Sequence, residues 1–189
     1  MKQSYDDVIF IIDESGSIPP DQFKKGLHAL TYFIDASSWN TKFAAIKYSG
    51  KATLLFNFVS LSEAKKKLKN VPQAGGSTNT QEALKMARTD LFLNPAASGH
   101  RQSAHRVVVV VTDGESNVQG DQTIPQANLL KSIGAKIIVI GVGSYGDSGY
   151  QELKNIASHP PGENLSEIKT FFEFDRVANM VAKAPWLQG

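Results

Sequence analysis

Short, wholly apolar runs alternate with longer stretches in which apolar positions recur every three or four residues. Val8–Ile12 and Val107–Val111 are β-branched blocks with no polar alternation, the pattern of strands buried on both faces of a parallel sheet. Ile137–Val142 repeats it, and Ile168–Phe174 predicts a last strand. Phe43–Tyr48 and Ala52–Val59 flank the turn Ser49-Gly50-Lys51 and predict an antiparallel hairpin. Between these runs, Phe23, Leu27, Leu30 and Ile34 mark one face of a helix opened by Pro19-Pro20. Ser62 is the expected cap of a short helix carrying Ala64 and Leu68. Ala83, Leu84, Ala87 and Leu91 define the next helix, stopped at Asn94-Pro95, and residues 96–105 read as a surface loop. Further helices are expected over Pro125–Ile133, ended by Gly134, around Tyr150, Leu153 and Ile156, and from Asp175 to Lys183 with Val177, Met180 and Val181 inward.

The order β-α-β-β-α-α-β-α-β-α-β-α predicts an α/β fold: a doubly wound, mostly parallel six-stranded sheet with one antiparallel edge strand and helices on both faces. In such sheets ligands bind beyond the carboxyl ends of the strands, where the winding direction switches.

With 189 residues, 41% hydrophobic and 20% charged, the chain suits one globular domain with a substantial core. Its short flanks beyond a core of about 6–183 suggest a domain excised from a larger multidomain protein. A net charge of +2 does not point to nucleic acid or to an anionic membrane. No apolar run approaches the roughly 20 residues that cross a bilayer. Residues 1–6 carry no signal-peptide pattern, which leaves open a secreted parent with its leader elsewhere. The absence of cysteine excludes disulfides, thiolate metal sites and cysteine nucleophiles.

Three loops at strand ends or helix starts concentrate oxygen donors. Asp13, Ser15 and Ser17 stand two apart around Gly16, directly after the first strand. Gly75-Gly76-Ser77-Thr78-Asn79-Thr80 precedes a helix, and Thr112-Asp113-Gly114-Glu115-Ser116 ends the valine strand. Taken singly, each is equally a polar turn or a helix cap. Together, on one sheet edge, they offer hard oxygen ligands suited to Mg²⁺ or Mn²⁺, with Ca²⁺ as the larger alternative.

In this order and at these separations, Asp13-x-Ser15-x-Ser17, Gly76-Ser77-Thr78 and Thr112-Asp113-Gly114 resemble the von Willebrand factor type A family. The strands before the first and third motifs and the phrase Ile137–Gly143 agree with it. The resemblance spans Asp6 to Lys183. It implies a Rossmann-like sheet ordered 3-2-1-4-5-6 and a metal-ion-dependent adhesion site. Ser15, Ser17 and Thr78 would be direct ligands, with Asp13 and Asp113 acting through water. Glu14 departs from the small residue common in the family; its side chain is expected to point away from the ion and to alter charge beside the ligand face. The implied function is non-enzymatic: divalent-cation-dependent binding of a protein whose Asp or Glu completes the coordination. Collagen, another matrix protein and self-association fit equally. An extracellular, secreted setting is expected, with an intracellular assembly module that does not use the metal as the alternative. Neither nucleic acid nor membrane insertion is expected. In some relatives the last helix slides along the body as the metal site rearranges; here that would be Asp175–Lys183.

A nucleotide-cofactor enzyme is the weaker reading. Gly141-Val142-Gly143-Ser144-Tyr145-Gly146 fits G-x-G-x-x-G, with Glu163 or Glu167 about 20 residues on, but it follows a late strand. No hydrolase elbow or P-loop occurs, and His28, His100, His105 and His159 are scattered. Lys65, Lys66, Lys67 and Lys69 read as a solvated helix face, with a polyanion as the lesser alternative. Trp39 is expected to pack at a helix–strand junction and Trp186 to lie in a linker or against a neighbouring domain; Asn164-Leu165-Ser166 is a glycosylation sequon.

Overall fold

The computed structural model describes residues 5–170, 173–174 and 176–177. Strands β1 (Asp6–Asp13), β2 (Lys42–Tyr48), β3 (Ala52–Val59), β4 (His105–Thr112), β5 (Ala135–Val142) and β6 (Leu165–Ile168) form one sheet in the order β3-β2-β1-β4-β5-β6. Every pairing is parallel except β2–β3. Alternation in the central strands divides the core. Val8, Phe10, Ile12, Val107, Val109 and Val111 face helices α1 (Pro20–Ala36) and α2 (Leu61–Leu68). Ile9, Ile11, Val108 and Val110 face α3 (Thr80–Met86), α5 (Thr123–Ser132) and α6 (Asp147–Ile156) on the other side. The five-valine run therefore feeds both layers, and this is why it lacks polar alternation.

Helix α1 buries Phe23, Leu27, Leu30, Phe33 and Ile34. Phe33 meets Phe10 edge-on at 5.4 Å, and Phe10 stacks on Phe43. Helix α3 runs into a π-helical turn, Ala87–Phe92, that keeps Ala87, Leu91 and Phe92 buried. Gly134 adopts φ 80° after α5, as the expected left-handed stop requires.

Several expectations are corrected. Ser60, not Ser62, is the N-cap residue of α2, and its hydroxyl makes no capping bond. Residues 96–105 are not a plain surface loop. They include the one-turn helix α4 (Pro95–Ser98), and Ser98, His100 and Ala104 are buried. Trp39 does not pack at a junction but is 79% exposed. The last strand is β6 rather than Ile168–Phe174, because the short helix α7 (Pro161–Asn164) delivers Leu165–Ile168 beside Val139–Val142. Glu173 and Phe174 already lie in helical turns. Of the expected final helix, Arg176 and Val177 are helical; Asp175 and residues 178–183, with Met180 and Val181, lie outside the described residues, as does Trp186. Tyr150 is half-exposed on α6, which instead buries Gly149, Leu153 and Ile156.

The end of the sheet opposite the strands' carboxyl ends is closed by charge. Asp7, fully buried, accepts hydrogen bonds from Arg101 Nε at 2.9 Å and Nη2 at 2.6 Å, and lies 2.8 Å from His100 Nδ1. Burial raises the Asp7 pKa, but the His100 and Arg101 contacts outweigh it and hold the carboxyl below its ordinary value. His100 is thus a buried partner, tilted against Phe58 and edge-on to Phe92, and His105 opens β4 with Nδ1 3.0 Å from Asp6.

Candidate metal centre

β1 and β4 are neighbours whose connections leave in opposite directions, so a crevice opens where their carboxyl ends meet. Asp13 is the last residue of β1, and Asp113 directly follows β4. The chain after Asp13 turns at once, because Asp13 Oδ1 accepts the Ser15 N–H at 2.8 Å. That turn sets the Ser15 and Ser17 hydroxyl oxygens 3.1 Å apart. Thr112 Oγ1 donates to Asp13 Oδ2 at 2.7 Å and so ties the first loop to the third.

The second loop is held against the first. Gly16 N–H donates to the Gly76 carbonyl at 2.9 Å, and Gln73 Nε2 donates to the Ile18 carbonyl at 2.8 Å. Gly76 stands at φ 113° with its α-carbon facing Ser49, a conformation that a side chain would strain. Thr78 is 6% exposed, and its backbone is gripped from the other side: its N–H donates to Asn117 Oδ1 at 2.8 Å, and its carbonyl accepts the Asn117 and Val118 N–H groups. Among the described residues the Thr78 hydroxyl makes no hydrogen bond.

Burial pushes the Asp13 carboxyl above its ordinary value; hydrogen bonds from Thr112 and Ser15 work against this, and the Asp113 charge adds to it. Burial raises Asp113 as well, opposed by the Ser17 and Ser15 hydroxyls. Two carboxylates thus face each other across hydroxyls in a largely desolvated crevice that disfavours their charges. Among the described residues, no three His, Asp or Glu side chains converge on one point. The donor set is two carboxylates and neutral hydroxyls, which fits a hard divalent cation that keeps water in its shell. A crevice of about 290 Å³ opens beside it, lined by Ser17, Pro19, Gln22, Asp113, Gly143 and Lys169 among others.

Of the five predicted ligands, Asp13, Ser15, Ser17 and Asp113 share direct contacts, and Thr78 enters on the loop tied to them through Gly16 and Gly76. Glu14 turns away from this cluster. Its carboxylate is buried, pairs with Lys47 Nζ at 3.0 Å and accepts the Ala74 N–H at 2.7 Å, while Lys47 also donates to the Pro72 carbonyl at 2.7 Å. The expected extra charge beside the ligand face is therefore neutralised by Lys47. Sequence reasoning did not identify Lys47, Asn117 or the role of Thr112. Lys47 had a signal, being a lone lysine inside an apolar strand; Asn117 had none.

The glycine phrase begins inside β5, at Gly141. A Cβ at Gly141 would collide with the Tyr145 hydroxyl and with Leu153 Cδ1, so this glycine serves packing over the strand, whereas Gly143 and Gly146 have no neighbour within 4 Å of an added Cβ. The sequon is closed: Asn164 is 1% exposed and donates to the Ser158 and Pro160 carbonyls.

The chain is 34% identical over 182 residues to mouse integrin alpha-X, covering 93% of this chain and 15% of that protein. It is 30% identical to the human collagen alpha-5(VI) chain over 88% of this chain and 6% of that one. The structure of proximal thread matrix protein 1 from the mussel byssus, with a zinc-occupied MIDAS motif, superposes with a TM-score of 0.78 at 25% identity, over 95% of this chain and 46% of that one. The chain thus spans a minor part of each of these proteins. The family model of the von Willebrand factor type A domain matches residues 7–180, and the chain belongs to that family.

Proposed function

We propose that this domain is a non-enzymatic, divalent-cation-dependent protein-binding module of an extracellular matrix or adhesion protein. The observation that carries the reading is the convergence of Asp13, Ser15, Ser17 and Asp113 at the crevice between β1 and β4, with Thr78 on a loop bound to them. The integrin and collagen relatives and the zinc-bearing mussel neighbour support it. Ser15, Ser17 and Thr78 are the proposed direct ligands of Mg²⁺ or Mn²⁺, with Ca²⁺ the larger alternative; Asp13 and Asp113 orient water and set the local charge. A cation held there, with few carboxylates touching it, retains positive charge and an open position that accepts a carboxylate oxygen from a partner. Such a partner is a protein offering Asp or Glu, with collagen or another matrix protein as the first ligands to test. The late position of the glycine phrase, at the end of β5 rather than in the first β–α turn, weighs against a dinucleotide enzyme.

The test is binding to immobilised matrix proteins with Mg²⁺, with Mn²⁺ and with EDTA. Binding is expected only with cation, with Thr78→Ala reducing it at least about tenfold. Equal binding in EDTA would transfer the function to a metal-independent assembly module of the same fold.

A further inference from the structure

Helix α2 buries Ala64 and Leu68 and packs Leu61 at its start, yet carries lysine at 65, 66 and 67, with Lys69 following. Within residues 61–71 those four lysines face one acid, Glu63, in a chain of net charge only +2. Lys65 is neutralised by Asp35 of α1, and Lys67 lies 3.7 Å from Glu63. Lys66 and Lys69 have no acidic partner among the described residues, nor has Lys24 of α1.

The helices do not close on each other. A groove of about 520 Å³ runs between them. On α1 it is lined by Lys24, Leu27, His28, Thr31, Tyr32 and Asp35, one helical stripe; α2 and the chain after it contribute Lys65, Leu68, Lys69 and Val71. The Lys65–Asp35 pair marks one end. Gln73, just beyond, donates to the Ile18 carbonyl before α1, so Lys69 lies toward the Lys24 and His28 end. The groove therefore has an ion-paired end and a cationic end; the buried Leu27 and Leu68 form its floor, and the half-buried Val71 and the 41%-exposed Tyr32 ring its accessible apolar lining.

We propose that this groove docks an acidic peptide segment of a partner protein, its carboxylates on Lys24 and Lys69 and one or two aliphatic side chains against Tyr32 and Val71. Charge complementarity selects the acid, and the apolar lining favours an amphipathic peptide over a sulfated glycan, which needs cations alone. The site does not depend on the metal reading, because no residue lining it is among the five candidate ligands.

Fluorescence anisotropy with a labelled peptide of alternating Asp and Leu tests this on the whole chain. Saturable binding is expected, weakened about tenfold or more when Asn replaces Asp or Ser replaces Leu in the peptide. The exposed-site double variant Lys24→Glu/Lys69→Glu should lose about as much while its melting curve stays that of the native chain. Lys67→Glu, outside the groove, and EDTA should change nothing. Absent binding, or equal binding by the double variant, overturns the proposal. Loss in EDTA would assign the peptide to the metal edge instead. Undiminished binding of the Ser-containing peptide, with displacement by a heparin oligosaccharide, would make the groove a polyanion site and overturn the peptide assignment.

Discussion

Glu14 and Lys47 show how one residue pair reaches the candidate site without belonging to it. Both are nearly buried, and between them they bind Ala74 and Pro72, so the second loop is clamped to β1 and β2. Removing one charge leaves the other desolvated and unpaired. Lys47→Met should therefore cost about 3–5 kcal/mol in chemical denaturation, whereas Glu14→Gln, which can still accept both bonds, should cost clearly less. The double variant should recover part of the Lys47→Met loss; strict additivity would show that the pair is not coupled. At the other end of the sheet the sign of pH dependence follows from Asp7. Its pKa is depressed below 3.8, so its contribution is present above the ordinary carboxylate range and is lost as pH falls through the depressed value. Denaturation midpoints measured from about pH 5 to about pH 2.5 should fall, and Asp7→Asn, already weaker at the upper end, should flatten that slope.

Elements were legible where packing set the pattern. The apolar blocks at 8–12, 107–111 and 137–142 are strands because each is buried on both faces, and the stripe 23, 27, 30, 34 is a helix because it covers Phe10 and its neighbours. Expectations failed where a local pattern was outvoted. Residues 96–105 look polar and small, yet Ser98 is drawn inside by its bond to the Leu91 carbonyl at the end of the preceding helix, and His100 by Asp7, 93 residues away in sequence. The glycine phrase after β5 looked like a phosphate loop, but its first glycine serves the packing of Tyr145 and Leu153 over the strand. Gly141→Ala should accordingly destabilise the domain by about 1–3 kcal/mol, and by less in a Tyr145→Ala background. An unchanged denaturation midpoint for Gly141→Ala would remove the packing explanation.

For the whole molecule, the two ends of the sheet have different tasks. The end bearing Asp6, Asp7, His100, Arg101 and His105 is tied together by ion pairs and hydrogen bonds, although burial holds the Asp6 carboxyl above its ordinary value and His100 Nε2 has no partner among the described residues. The opposite edge gathers two carboxylates whose charges burial opposes. Four of the five predicted ligands meet there as the motif spacing implied, since strand ends and sheet order dictate which loops share an edge. What the motif could not reveal was the scaffolding from Thr112, Asn117 and Lys47, which depends on contacts between residues distant in sequence. In the proposed function this edge holds a divalent cation. Calorimetric titration of Mg²⁺ and Mn²⁺ into the cation-stripped protein and into Asp13→Ala tests it most directly. Saturable, one-to-one binding to the native chain, abolished by Asp13→Ala, is the expected result; no binding to the native chain, or equal binding to both, would overturn the proposed site.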